Sequence, residues 1–332
     1  MSKLKFLQKI SGNKRYLIDF SNLKNNLFLF QNSNSTKEDI EKIIKSPHMG
    51  IPMIFPKKVN LFRYDKKDIF YLEDETILKK IFMTKNYNYR PYKTYTHFGN
   101  EFLIKVEVKK KYNNIVNEIT RFNKNSIIKI KNLHKKFKNI CAFQTRNIPH
   151  EGHETIINHL LKKFDHVVVN PVIGPKKIGD VNYGDLELSY RYMINKKFKN
   201  KLSYIPIIFN MFYAGPREAI HHSNIRQAIG FKNFIIGRDH AGAFNNYKAL
   251  EAVNLVSKYK NKLKINIETL MGAYFCRKCN KIRLDFNCKH RDFENISGTE
   301  FRKSLEQKKI FKFANYELQK KLHKLKHSLF VR

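Results

Sequence analysis

The feature that most constrains this chain is a rhythm of near-continuous apolar runs alternating with amphipathic stretches, which begins at about residue 131. The runs are NICAFQ, HVVVNPVIG, LSYIPIIFN, NFIIG and KINIETL. The stretches between them include ETIINHLLKKF, LSYRYMINKKF, PREAIHHSNIRQAIGF and YKALEAVNLVSKY. Strands that are apolar on both faces belong inside a parallel sheet covered by helices, and right-handed crossovers then predict a doubly wound α/β layer. Ligands of such layers bind beyond the carboxyl ends of the strands. The polar motifs fall there, QTRN after the first run and GRDHAG after the fourth.

Ahead of this rhythm, MGIPMIF, KKVNLFRY, DIFYLED and NEFLIKVEVKKKY read as short strands, with one helix at TKEDIEKIIKS opened by Thr36 as its cap. Three parts are expected: a mostly β N-terminal domain over residues 1–130, an α/β catalytic domain over 131–275, and a C-terminal piece over 276–332. A chain of 332 residues exceeds what one core usually serves.

Neither a transmembrane run nor a secretory leader is visible, which predicts a cytoplasmic protein with no membrane partner. The formal charge is +37, from 65 Lys+Arg against 28 Asp+Glu, and such an excess raises nucleic acid as a partner. The lysines are spread along the whole chain rather than gathered into a stripe, so no specific nucleic-acid partner is expected. A basic, zinc-containing nucleic-acid-binding protein stays as the alternative from a different class.

Three of the four cysteines fall in FCRKCNKIRLDFNCKH. Cys276, Cys279, Cys288 and His290 form two knuckles that suit tetrahedral zinc with no open position, hence a structural site. Asp292 competes with His290 for the fourth place. In QTRNIPHEGHE, His150 and His153 lie three apart where a helix begins, next to Gln144, Arg146 and Asn147. Unpaired N–H groups and the positive end of the helix dipole favour a phosphate there, and the pair reads as an anion clamp. A capping role is the plain alternative. Arg238 stands beside Gly237 at a strand end, where backbone can approach a ligand closely and a guanidinium can grip its oxygens. Arg217 and Glu218 fit equally a helix cap with a surface ion pair. ISGTEFR places Ser297 and Thr299 before a helix carrying Arg302, which reads as an ordinary cap.

FQTRN, HEGHE, MFYAGPREAIHH, GRDHAG and ISGTEFR, in this order around the cysteine cluster, resemble the ATP-sulfurylase family within the HxGH nucleotidylyltransferases. The resemblance covers about residues 135–305. It implies a PUA-like N-terminal domain and adenylyl transfer between ATP and sulfate, giving adenylylsulfate and pyrophosphate, or the reverse. It also implies Mg2+ with the ATP. Gln144, Arg146 and the backbone of Ala241 are implied for sulfate. Thr145, Arg146 and Asn147 are implied for the catalytic turn, and His150 and His153 for the phosphates. ATP contacts extend by the same resemblance over Gln144–Asn147 and over Gly237, Arg238, Asp239 and His240. Two departures stand out: Ile148 separates Asn147 from Pro149, and Glu151 sits between the histidines. No GxxxxGK[ST] motif is present, so no fused adenylylsulfate kinase is expected. The oligomeric state is left open, a homo-oligomer included. A nucleotidylyltransferase with another acceptor is the nearer alternative.

Overall fold

Five parallel strands organise the molecule: β1 (Ile140–Phe143), β2 (His166–Val169), β3 (Leu202–Tyr204), β4 (Asn233–Gly237) and β5 (Asn266–Leu270), in the spatial order β5-β4-β1-β2-β3. The computed structural model describes residues 10, 12–238, 240, 246–284, 288–296 and 298–331. Successive strand residues face opposite ways, and in β1, β2 and β4 both faces are buried, while the edge strand β5 buries only Leu270. Ala142, Val168, Phe234 and Ile236 join one core; Cys141, Phe143, Val167, Val169 and Ile235 join the other. This is why the runs read as continuously apolar. Each such Val, Ile or Phe contributes about 1.5–3 kcal/mol by leaving water.

Between the strands run α1 (Glu151–Leu160), α2 (Tyr183–Lys197), α3 (Pro216–Ala228) and α4 (Glu251–Lys258). Helices α1 and α2 cover one face with the C-terminal helices Gly298–Glu306 and Tyr316–His323. Helices α3 and α4, a long helix Asn113–Lys136 and the N-terminal region cover the other. The chain fills the sheet from β1 to β3 in one direction, then returns to place β4 on the other side of β1. That reversal opens a crevice between the carboxyl ends of β1 and β4, the usual ligand position in such sheets.

The mostly β reading of residues 1–130 is corrected by the structure. Helices Tyr16–Lys24, Lys37–Lys45 and Arg90–Thr96 and the start of Asn113–Lys136 dominate, and the strands there are two or three residues long. Two physical effects hid the helices. Tyr16–Lys24 is buried from Tyr16 through Leu23 and so carries almost no amphipathic pattern. In Asn113–Lys136 the inward positions are Val116, Ile119, Asn123, Ser126 and Ile130, a helical spacing interrupted by two polar residues. In MGIPMIF only Phe55 belongs to a strand; Ile51–Phe55 are buried, and Met53 is held by a side chain: its N–H donates to Gln31 Oε1 at 2.7 Å and its carbonyl accepts from Gln31 Nε2 at 2.6 Å. Thr36 does cap its helix, with Asp39 N–H donating to Thr36 Oγ1 and Thr36 N–H to Asp39 Oδ2. A division at 130/131 falls inside the helix Asn113–Lys136. No helix among the described residues is long and apolar enough to cross a membrane.

Candidate active site

The crevice at the reversal collects the polar motifs. Gln144 to Asn147 leave β1 as a turn held by Thr145, whose Oγ1 accepts from the Asn147 N–H at 3.2 Å. His150 is extended and caps α1; His153 is the third residue of that helix. The His150 N–H donates to His153 Nδ1 at 3.4 Å, and the two rings lie 4.0 Å apart. With Nδ1 accepting, the neutral His153 ring carries its proton on Nε2, which lies 3.5 Å from Thr145 Oγ1. The capping alternative is therefore seen in this pair. Gly152 makes this possible, because a Cβ there would stand 2.9 Å from His150 Cε1 and 3.0 Å from His150 Nδ1.

Burial holds both imidazoles neutral. His150 is pushed well below the ordinary histidine range by burial and by its neighbour His153, and burial takes His153 down to about 4. Among the described residues, His150 Nδ1 and Gln144 Oε1 are buried without hydrogen-bond partners. Orphan polar atoms of this kind are costly unless something completes them. Burial raises the pKa of Glu151, with Glu154 adding to the rise and Lys197 opposing it.

Arg146 is oriented by groups that the sequence did not single out. Its Nη1 donates to Asp180 Oδ1 at 3.3 Å, and its guanidinium lies over the Tyr213 ring at 5.9 Å. The Tyr213 hydroxyl donates to Asp180 Oδ2 at 3.1 Å, and Tyr213 has a φ of 56°, an unfavourable conformation of the kind that gathers at functional sites. Two residues on, Gly215 has a φ of 54°, and a Cβ there would lie 2.3 Å from Tyr247 Cζ. Asp180 lies in KKIGD after β2 and Tyr213 in MFYAG after β3. Only the fold shows that they converge on Arg146.

Arg302 is more than part of a cap. Its Nη1 donates to Asn147 Oδ1 at 3.1 Å and its Nη2 to Thr299 Oγ1 at 3.2 Å, bringing ISGTEFR to the crevice. Ser297 lies outside the described residues.

Across the crevice, Gly237 ends β4 and Arg238 follows it. The Arg238 guanidinium donates to the Tyr274 hydroxyl and lies over that ring at 5.5 Å. His240 Nε2 is 3.0 Å from His222 Nδ1, and burial holds both rings neutral. Behind them, buried Glu218 accepts from the N–H groups of Phe212 and Ala214, each at 3.1 Å, and its Oε1 is 3.1 Å from His222 Nε2. Glu218 thus ties the MFYAG loop to the GRDH turn rather than forming a surface ion pair. Asp239 and Ala241 lie outside the described residues.

Arg217 is wholly buried and points away from the crevice. It donates to the carbonyls of Gly50, at 2.5 Å, Ile44, at 3.0 Å, Ile43 and Lys80. A guanidinium at the ends of helices satisfies carbonyls that have no partner within the helix. Its role is to join the N-terminal region to α3.

The cysteine cluster stands beside the crevice in a small antiparallel sheet made of Ala273–Cys276, Lys281–Leu284 and Phe293–Asn295. One ligand atom from each of Cys276, Cys279, Cys288 and His290 lies within 4.8 Å of the others. Tetrahedral zinc with Zn–S near 2.3 Å places its donors about 3.3–3.8 Å apart. The observed separations are 3.4 Å for Cys279–Cys288, 3.6 Å for Cys276–Cys288, and 3.2, 3.6 and 3.9 Å from His290 Nδ1 to Cys279, Cys288 and Cys276. The donor set fits a four-coordinate metal. Asp292 is engaged elsewhere, accepting from Arg277 Nη1 at 2.8 Å, which favours His290 as the fourth donor. The same sheet carries Tyr274, the partner of Arg238, and packs against α1.

A family model described as ATP-sulfurylase matches residues 122–312. The chain is 30% identical over 347 residues to the sulfate adenylyltransferase of Persephonella marina, covering 92% of this chain and 88% of that protein. It is 32% identical over 254 residues to the sulfate adenylyltransferase of Pyrococcus abyssi, covering 75% of this chain and 66% of the relative. A protein of the same name from Hyperthermus butylicus is 39% identical over 172 residues, covering 51% of this chain and 44% of its own length. Among solved structures, that of the hexameric APS kinase from Thiobacillus denitrificans aligns with a TM-score of 0.55 at 11% identity, covering 93% of this chain and 61% of that one. This last likeness concerns the fold alone.

Proposed function

Because this chain belongs to the ATP-sulfurylase family, we propose that it transfers the adenylyl group between ATP and sulfate, the activity of a sulfate adenylyltransferase. The observation that carries the reading is the meeting of QTRN, HEGH and the GR-H turn at the one place where the strand order reverses. A sulfate oxygen attacks the α-phosphorus of ATP. The new P–O bond forms as the bond between the α-phosphorus and its bridging oxygen breaks, and pyrophosphate leaves opposite the incoming oxygen. Sulfate is already ionised, so the step needs no base and no covalent enzyme intermediate. The protein's task is to hold two anions together and to stabilise charge as it moves.

In this reading Gln144 and Arg146, with the Ala241 backbone, hold sulfate. Asp180 and Tyr213 fix the direction of Arg146. Thr145 and Asn147 shape the turn under the α-phosphate, with Arg302 steadying Asn147. His150 and His153 face the phosphate chain, their N–H groups meeting charge that grows as pyrophosphate departs. Gly237, Arg238, Asp239 and His240 receive the nucleotide. Mg2+ arrives with the ATP phosphates, whose charge it offsets.

We further propose that the Cys276, Cys279, Cys288 and His290 cluster holds one structural zinc, since a closed set of three thiolates and one imidazole leaves no position for substrate. An N-terminal unit built largely from helices would precede a catalytic unit to about residue 275 and a metal-bearing C-terminal unit, in a cytoplasmic enzyme.

The test is pyrophosphate release from MgATP by zinc-replete protein, with and without sulfate, and ATP formation from adenylylsulfate plus pyrophosphate. Activity in both directions is expected. Release with a different acceptor but not with sulfate would move the protein to another nucleotidylyltransferase activity.

A further inference from the structure

A cavity of about 240 Å3 lies between the N-terminal helices and the catalytic layer, behind the loop that carries Tyr213. Arg15, Arg90, Lys176 and Lys177 all line it, and no carboxylate does. Arg15 precedes helix Tyr16–Lys24 and Arg90 opens helix Arg90–Thr96, while Lys176 and Lys177 belong to the loop after β2. Four cations from three separate parts of the chain thus converge on one space.

Three of them lack an acidic partner: among the described residues, none of Arg15, Arg90 and Lys176 forms an ion pair within 4 Å. Arg15 donates to the Met211 carbonyl at 3.3 Å, and Lys176 to the Val181 carbonyl at 2.5 Å with its ammonium over the Tyr183 ring at 4.2 Å. Enclosure pushes Lys176 down to about 7, opposed by the attraction of Asp180. Gathering cations with no carboxylate in the lining is costly, and a small dense anion relieves it.

We propose that this cavity is a second anion site, distinct from the crevice at Arg146, for a small multiply charged inorganic oxyanion: sulfate or pyrophosphate. The choice of these two oxyanions rests on the proposed function; the existence of the site does not. Its volume exceeds what a single tetrahedral anion needs and leaves room for water around it. Tyr213 forms the partition, since it lines the cavity, stacks on Arg146 and bonds to Asp180. An anion held here lies one side chain from the reacting centre, where it can wait before entry or pause after release. Guanidinium and ammonium groups supply charge-assisted hydrogen bonds without steric discrimination among oxyanions.

The experiment is calorimetric titration of the full zinc-replete chain with sulfate and, separately, pyrophosphate at low salt, without ATP. The parent is compared with Arg90→Gln and Lys176→Met, and folding is checked by circular dichroism and melting temperature. Arg90 is exposed on its other side, so its replacement should leave the fold intact. Each variant should weaken one oxyanion about 10-fold or more, as expected for losing a charged hydrogen bond. Arg146→Gln should leave that Arg90-dependent binding in place. Loss for sulfate alone identifies a sulfate site, and loss for pyrophosphate alone a pyrophosphate site. Folded Arg90→Gln and Lys176→Met proteins that bind both anions with parental affinity would overturn the proposal. A protein inactive with sulfate but showing Arg90-dependent binding would keep the cavity site and refute the assigned activity instead.

Discussion

At the scale of single residues, the histidine pair is where structure and chemistry press hardest on each other. His150 and His153 are buried and neutral, yet they are proposed to meet the most highly charged part of ATP. A polyanion beside them favours the imidazolium, so binding should raise both pKa values. ATP binding is therefore expected to take up protons near pH 6, with uptake fading towards pH 8. Titration calorimetry in buffers of different ionisation enthalpy measures this directly, and His153→Gln should reduce the uptake. In the free protein the sign is opposite. A folded-state pKa near 4 lies below the unfolded value of about 6.5, so the unfolded chain binds the extra proton. The contribution of His153 to stability is present above pH 6.5 and is lost as pH falls from there towards 4.

The same residues separate turnover from binding. Contacts that strengthen as pyrophosphate departs should appear in kcat, and contacts equal in ground and transition states in KM. His150→Ala and His153→Ala should each lower kcat by roughly 100-fold or more, as when one preorganised donor is lost. Gln144→Ala should act mainly on the KM for sulfate. Steady-state kinetics of the folded variants, with both KM values, decides between these roles. Unchanged kcat in both histidine variants would leave only the cap of α1 to them.

Among the elements, the small sheet beside the crevice has the widest reach. It holds the metal donors, it presents Tyr274 to Arg238, and it packs against α1. Metal removal should therefore damage both sides of the nucleotide site as well as local stability. Treatment with a strong chelator, or the Cys276→Ser/Cys279→Ser double variant, is expected to abolish stoichiometric zinc, raise the KM for ATP and lower the melting temperature. Metal analysis should return about one zinc per parental chain. Full metal retention in the double variant would remove these cysteines from the site.

Helix α3 couples elements in another way. Glu218 faces the MFYAG loop and His222, while Arg217, next to it in sequence, faces the N-terminal helices. Adjacent residues on a helix point about 100° apart, which lets one turn serve the site and the domain contact together.

For the whole molecule, Arg217 is the testable joint. It satisfies carbonyls of Ile43, Ile44, Gly50 and Lys80 from a wholly buried position. Arg217→Met keeps much of the bulk but leaves those carbonyls unmatched, at a cost of about 3 kcal/mol or more. Denaturant titration should show a lower midpoint, and limited proteolysis should show earlier cleavage in residues 10–110 than in the catalytic layer. An unchanged midpoint would mean that apolar packing alone joins the two parts.

Much of the catalytic layer was legible in the residues because its signals are local. Doubly buried strands are apolar at nearly every position, so β1, β2 and β4 declare themselves, whereas the edge strand β5, with Asn266, Glu268 and Thr269, is legible only from its place in the rhythm. The QTRN, HEGH and GRDH turns follow strand ends, and the cysteine spacing sets its own ligand geometry. The N-terminal helices did not declare themselves, since full burial of Tyr16–Lys24 and the inward Asn123 and Ser126 remove the amphipathic contrast that periodicity detects. Nor could spacing reveal that Asp180 and Tyr213 orient Arg146, that Arg302 reaches Asn147, or that Arg217 turns away from the crevice. Those relations join residues tens to more than a hundred positions apart. By itself the sequence determined the sheet, its ligand-binding edge and the chemical character of the turns, because each follows from local burial and backbone geometry. Only the tertiary structure decided which charges share a space, because electrostatic and hydrogen-bond interactions depend on distance through the folded molecule and not along the chain.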